Sequence, residues 1–426
     1  MKLQTAKGVR DSPPQEQIVR QRIVDTIKRG FELYGFLPLD TPVIERLDVL
    51  SSKYAGGDEI LKETFKMVDQ GNRELCLRYD LTVPMCRFVG MNPNLKMPFK
   101  RYQMGPVFRD GPIKLGRYRE FWQIDADIVG AKGMSAEAEL INMSFSVFRD
   151  LGMDVVMEVN NRKLLDGLLL QAGVQEDKLA DFILSIDKLK KIGDTEVMKE
   201  LKQKNFKDKV IADALASLKV TGTNEAKLKL LKGLVTNSIG KEGVTELESL
   251  LSLVEIPDLE FIPSLARGLS YYTGTVFEMF FKDSKIKSSC AGGGRYDNMI
   301  SQFLESKQKY PAVGISFGIE VIKDSIGETD SKGSIAKVFI IPIGTEKVCM
   351  RIAKDFREAG IPTDLDVMGR GISKNLNYAN TLSIPYVIIA GEDELKQAKV
   401  TLRDMSSGDQ KLLSVPEAIE KVRVSS

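Results

Sequence analysis

The sequence predicts an α+β protein: an antiparallel sheet with flanking helices, a helical insertion, and a C-terminal α/β domain. Three observations carry this. Strand-like runs follow one another without regular βαβ alternation in "ETFKMVD", "LCLRYDLTVPMCRFV", "KRYQMGPVFRD" and "REFWQIDADIVG". The texture then changes, from about residue 165 to 253, to Leu, Lys, Ala and Asp at helical spacing. The last ninety or so residues alternate strand and helix, the pattern of a small α/β unit.

Taken in order, Gln17 to Leu33 is apolar at helical spacing and Gly35 stops it. "FLPLDTPVIE" is extended and broken by Pro38 and Pro42. A hairpin follows, with Arg109 near the end of its first strand and Glu120 to Ile128 on the second. After the insertion, strands are expected over Gly274 to Phe281 and Cys290 to Asp297. "YPAVGISFGIEVIKDSI" reads as a strand running into a helix. This gives a catalytic-sized unit over 1–325, a polar linker over 326–336 and a tail domain over 337–426.

Composition excludes several classes. With 426 residues, 43% of them hydrophobic, the chain can bury more than one core. Lys+Arg of 61 against Asp+Glu of 59 leaves a net charge of +2, so any polyanion must be met by local patches. The region from Lys188 to Lys232 is lysine-rich, either a solvated helix surface or a loose phosphate-binding face. No apolar run approaches the roughly 20 residues of a spanning helix, and the N-terminus lacks a signal-peptide core, so a cytoplasmic location is expected. Cys76, Cys86, Cys290 and Cys349 stand far apart, without metal-ligand spacing, and are expected as buried thiols. No metal site is expected from protein ligands. There is no histidine, so chemistry must run on carboxylates, arginines, tyrosines and backbone.

Polar residues fall where strand alternation would put them on one face. On the second hairpin strand Phe121, Gln123, Asp125 and Asp127 share a face. In "LRYDLTVP" the residues Arg78, Asp80 and Thr82 alternate with Tyr79 and Leu81, which predicts a polar strand face. A buried carboxylate is costly unless paired, and a substrate ammonium would pair it. The glycines of "CAGGGRYDN" allow close backbone approach, or equally a bulge.

Together these segments resemble a known family. "YGFLPLDTPVIE", "FRDGPIKLGRYREFWQ" and "AVGISFGIEVI" are similar to the three motifs of class II aminoacyl-tRNA synthetases. "LRYDLTVP", "LARGLSYYTGTVFE" and "CAGGGRYDN" are similar to the signatures of histidyl-tRNA synthetases. The resemblance spans essentially the whole chain and makes the tail an anticodon-binding-like domain. It implies ligation of L-histidine to histidine tRNA through a histidyl-adenylate, with ATP as substrate, Mg²⁺ on its phosphates, and a homodimer built on the first motif. It implies that Arg109 and Arg267 grip the α-phosphate, with Arg117, Glu120 and Glu320 also on the ATP side. Asp80, Thr82 and Gln123 would hold the amino acid's ammonium and carboxylate, and Asp127 and Tyr272 the two imidazole nitrogens. Gly268 would give room for the ligand. Tyr271, on the opposite strand face from Tyr272 by alternation, is a further histidine-site residue.

The chain departs from the family's pattern at two places. Val321 follows Glu320 where the third motif has an arginine, with Lys323 expected to point elsewhere. Asp110 and Gly111 follow Arg109 where an acidic residue sits near the adenine. The alternative reading is a catalytically silent regulator that senses histidine or uncharged tRNA, against which stand the retained tail and Arg267.

Overall fold

The computed structural model describes residues 3–51, 61–113, 118–267, 271–304, 309–326 and 333–424. It divides into two compact units, Met1–Arg10 with Ile23–Ser325, and Asp11–Arg22 with Ile326–Ser426.

The first unit is built on an eight-stranded sheet in the order β1-β5-β6-β11-β10-β9-β7-β8. These are β1 (Leu37–Pro38), β5 (Phe99–Phe108), β6 (Glu120–Val129), β7 (Val155–Asn161), β8 (Leu259–Phe261), β9 (Thr275–Phe281), β10 (Ala291–Arg295) and β11 (Ala312–Gly318). The interior pairings from β5 to β7 are antiparallel, while the outermost strands β1 and β8 pair in parallel. A small sheet of β2 (Ile44–Arg46), β3 (Lys66–Val68) and β4 (Glu74–Leu77) lies in the same unit.

The expected hairpin is present as β5 and β6, ten residues each, in continuous register from Phe99↔Val129 to Phe108↔Glu120. One sheet face packs on helices. Phe31, from the helix Pro14–Leu33, and Phe148, from the helix Ser135–Asp150, both contact Phe317 of β11, at 5.5 and 5.8 Å between ring centroids. The other face is polar around Gln123, Asp125 and Asp127 and carries the site described below.

"LRYDLTVPMCRFV" is not one strand. β4 stops at Leu77 and Thr82–Met91 is a helix. Two features drive the switch. Pro84 sits in the first turn, where its missing N–H is not needed. The Asp80 carboxylate accepts from the N–H groups of Thr82 and Val83, at 3.0 and 2.9 Å. Arg78 therefore does not share a strand face with Asp80. It is buried and donates to the carbonyls of Thr41 and Pro106 at 2.7 and 2.8 Å.

Helices fill the chain from Arg162–Gln171 to Ser238–Leu253. These two helices cross closely: a Cβ on Gly243 would lie 2.3 Å from the backbone nitrogen of Leu164. The lysine-rich stretch is largely ion-paired, which favours the solvated-surface reading over a phosphate-binding face. Lys188 and Lys204 meet Glu200, Lys202 meets Asp208, and Lys219 meets Asp194.

The second unit holds a five-stranded sheet in the order β13-β12-β14-β15-β16. The strands are β12 (Val338–Pro342), β13 (Thr363–Leu365), β14 (Tyr386–Ala390), β15 (Val400–Asp404) and β16 (Gln410–Leu413). The helices Glu346–Glu358, Ile372–Thr381 and Val415–Val424 alternate with the strands, with a short extra helix Glu392–Lys396. All four cysteines are buried and unpaired. Among the described residues no helix is long and apolar enough to cross a membrane.

Candidate active site

A cavity of about 770 Å³ opens on the polar face of the large sheet. β6 and β11 form its floor, and their register orders the site: Asp127↔Gly314, Asp125↔Ser316, Gln123↔Gly318, then Glu320 just beyond the end of β11. β10 contributes Gly292, Gly293 and Gly294, and the segment before β9 contributes Arg267, Tyr271 and Tyr272. Asp80, Thr82 and Arg109 line it from another side.

At one end, three carboxylates, Asp80, Asp125 and Asp127, surround one buried guanidinium. Arg101, fully buried, lies 2.7 Å from Asp127 Oδ2 as an ion pair and donates to the carbonyl of Leu81 at 3.2 Å. The Tyr296 hydroxyl donates to Asp127 Oδ1. Gln123 Nε2 donates to both oxygens of Asp125 at 3.0 Å. Burial pushes Asp125 up, to about 7. Arg101 pulls against that rise, Asp127 adds to it, and hydrogen bonds from Ser316 and Gln123 oppose it. Burial likewise raises Asp127 and Asp80, with Arg101 opposing the rise at Asp127 and the N–H of Val83 opposing it at Asp80. A region this rich in carboxylate oxygen is suited to a cationic group.

Two arginines, Arg109 and Arg267, also line the cavity. Arg109 is stacked between Tyr79 and Phe121, its guanidinium carbon 4.4 and 4.9 Å from the ring centroids. Arg267 reaches the carbonyl of Phe277 at 3.4 Å and Glu278 at 3.7 Å, and lies 5.6 Å from the Tyr272 ring centroid. Its path runs over Gly292, where a Cβ would come within 2.4 Å of Arg267 Nη1. The glycines serve close approach, not a bulge: β10 pairs through all three of them with both neighbours.

At the far end, Glu320 and Val321 line the cavity. Lys323 is not among the lining residues, yet it stays close to the site. Its ammonium returns to Glu320 at 3.0 Å, and Arg10 approaches the same carboxylate at 3.6 Å while lying over the Tyr118 ring.

The structure thus gathers Asp80, Thr82, Arg109, Gln123, Asp127, Arg267, Tyr271, Tyr272 and Glu320 around one cavity. Glu120 is not among the lining residues; it is exposed at the first position of β6. Arg117 and Gly268 lie outside the described residues. The two tyrosines are not divided between strand faces. β9 begins only at Thr275, and in the segment before it their rings stand 4.6 Å apart, both at the cavity. Sequence reasoning missed Asp125 as a site residue, although the two-residue period places it between Gln123 and Asp127. It also missed Arg101 and Tyr296, which gave no signal beyond lying in the flanking strand and just after the glycines.

The family model described as histidyl-tRNA synthetase matches residues 8–322, and that described as anticodon binding domain matches residues 337–424. The chain is 45% identical over 419 residues to Histidine--tRNA ligase 1 of Bacillus cereus, covering 96% of this chain and 95% of the relative. It is 40% identical over 412 residues to Histidine--tRNA ligase 2 of Shouchella clausii, covering 95% and 96%. The crystal structure of histidyl-tRNA synthetase from Nostoc sp. PCC 7120 superposes with a TM-score of 0.89 at 28% identity, covering 100% of both chains.

Proposed function

The chain belongs to the histidyl-tRNA synthetase family and charges tRNA with histidine, and from that premise we propose how the cavity divides the work. The observation that carries the division is the register of the β6–β11 floor, which runs from Asp127 and Asp125 through Gln123 to Glu320 just past β11, with Arg109 and Arg267 lining the same cavity from neighbouring segments. Histidine lies at the carboxylate end. Its ammonium faces Asp80, Thr82 and Gln123, and its imidazole reaches the wall formed by Asp127, Tyr271 and Tyr272. Buried polar groups matched to a substrate's own donors and acceptors reject analogues that leave them unpaired.

ATP occupies the Glu320 end, with Arg109 and Arg267 on the α-phosphate. The amino acid's carboxylate is already an anion, so its attack on phosphorus needs no protein base. The two guanidinium groups act on charge gathering on the phosphoryl oxygens as pyrophosphate leaves. That suits a chain without histidine. Mg²⁺, carried on the ATP phosphates, would neutralise their charge, with Glu320 the carboxylate on that side. The adenylate then passes its acyl group to the terminal ribose of histidine tRNA, whose anticodon end the tail domain receives.

Histidine-dependent exchange of pyrophosphate into ATP tests the reading. Exchange with histidine and none with other amino acids is expected; histidine binding without exchange would support the silent regulator instead. We place the reaction in the cytoplasm and in a homodimer. The first-motif segment leaves Leu37, Val43 and Ile44 exposed beside the edge strand β1, apolar surface that suits a second copy. Sedimentation equilibrium should give twice the chain mass, and a monomer at micromolar concentration would remove that part of the proposal.

A further inference from the structure

Asp125 sits in the cavity floor beside Asp127, whose partners are of another kind. Asp127 has Arg101 and Tyr296. Asp125 is held by Gln123, whose Nε2 donates to Oδ1 and Oδ2 at 3.0 Å each. An ionised carboxylate can only accept, so the amide must turn its NH₂ toward Asp125 and its oxygen away. That oxygen, Gln123 Oε1, is buried and has no hydrogen-bond partner among the described residues, while Gln123 itself lines the cavity.

We infer that Asp125 is a positioning residue for amino-acid recognition: it fixes the Gln123 amide so that Oε1, and not the NH₂, faces the substrate's ammonium. An amide turned the other way would set donors against a cation that has only donors, leaving both sides of a buried contact unsatisfied. Strand geometry makes the arrangement possible. The two side chains are two residues apart on one face of β6. Across the register Gly318 leaves Gln123 room, and Ser316 adds a hydrogen bond that helps hold the Asp125 carboxylate. The inference rests on the proposal that the ammonium binds beside Gln123, and it adds a residue to that site.

The test is steady-state pyrophosphate exchange by the full chain, with histidine and ATP varied in turn. Asp125→Asn, nearly isosteric, should raise KM for histidine about tenfold, the scale of one misdirected charge-assisted hydrogen bond. It should leave kcat within about threefold and KM for ATP unchanged. Combined with Gln123→Ala, it should add less than about twofold, because Asp125 acts through Gln123. The reciprocal pair Asp125→Asn with Gln123→Glu rebuilds a donor facing an acceptor and leaves a carboxylate oxygen for the ammonium, so it should restore KM to within about threefold of the parent. Unchanged KM in Asp125→Asn, additive losses in the double variant, or a reciprocal pair no better than Asp125→Asn alone would each overturn the inference. These outcomes need an active parent enzyme; a parent without histidine-dependent exchange would overturn the functional reading itself.

Discussion

At the scale of single residues, Arg267 has the sharpest proposed role. Its polar contacts among the described residues are long, 3.4 Å to the Phe277 carbonyl and 3.7 Å to Glu278, so little of its geometry serves folding. In the proposed division of the cavity its charge faces the meeting point of ATP and the amino-acid carboxylate. Arg267→Ala should lower the rate of adenylate formation by about 10² to 10³, the usual scale for removing one donor from a developing oxyanion. KM for histidine should change less than about threefold, since the ammonium and imidazole contacts remain. Burst kinetics of adenylate formation check this, and turnover within tenfold of the parent would refute it. Most of the residues proposed for the site were legible because their spacing is distinctive: the alternating Gln123 and Asp127, and Arg267 ahead of the tyrosines. The error over Tyr271 and Tyr272 was one of assumed geometry. Alternation holds only inside a strand, and both tyrosines precede the start of β9 at Thr275.

At the scale of elements, the sheet interior is tightly constrained by small residues. A Cβ on Gly293 would lie 1.9 Å from the carbonyl oxygen of Gly314 across the β10–β11 pair, and 2.8 Å from the Cα of Ile315. No rotamer relieves a clash with backbone, so the strands must separate. Gly293→Ala should cost on the order of 3 kcal/mol. Gly133→Ala, which meets nothing within 4 Å, should be nearly neutral. Urea midpoints of the two variants check the contrast, and equal midpoints would show that the strands yield. The long hairpin and the alternating tail were readable because each repeats one period over many residues. "LRYDLTVP" was not, because its turn into a helix depends on a local cap and on the burial of Val83, Met85, Cys86 and Val89, while its short polar alternation mimics a strand. The role of the glycines was likewise hidden: close approach and a bulge look alike until the neighbouring strands are known.

At the scale of the whole molecule, the absence of histidine makes pH dependence unusually interpretable. Between about pH 5 and 8 an ordinary protein titrates imidazoles. Here burial raises the thiols above their ordinary range, so none of the four titrates in that interval. Among the groups moved toward that interval are the buried carboxylates of the cavity, with Asp125 at about 7 and Asp80 and Asp127 also raised. A carboxyl whose folded pKa lies above its unfolded value, near 3.9, favours the folded state most below the unfolded value. That contribution is lost as pH rises through the folded pKa. Glu200 and Asp366, lowered to about 2, act oppositely and lose their contribution only in acid, below about pH 4. The ligand-free protein should therefore have its highest urea midpoint near pH 4, lose stability to about pH 7, and level off above that. The loss from Asp125 has an upper bound on the order of 4 kcal/mol. Asp125→Asn should flatten the profile, since the introduced amide does not titrate. A midpoint that rises from pH 5 to pH 7 would show that the carboxylate end of the cavity is neutralised within the protein, without the ammonium it is proposed to await.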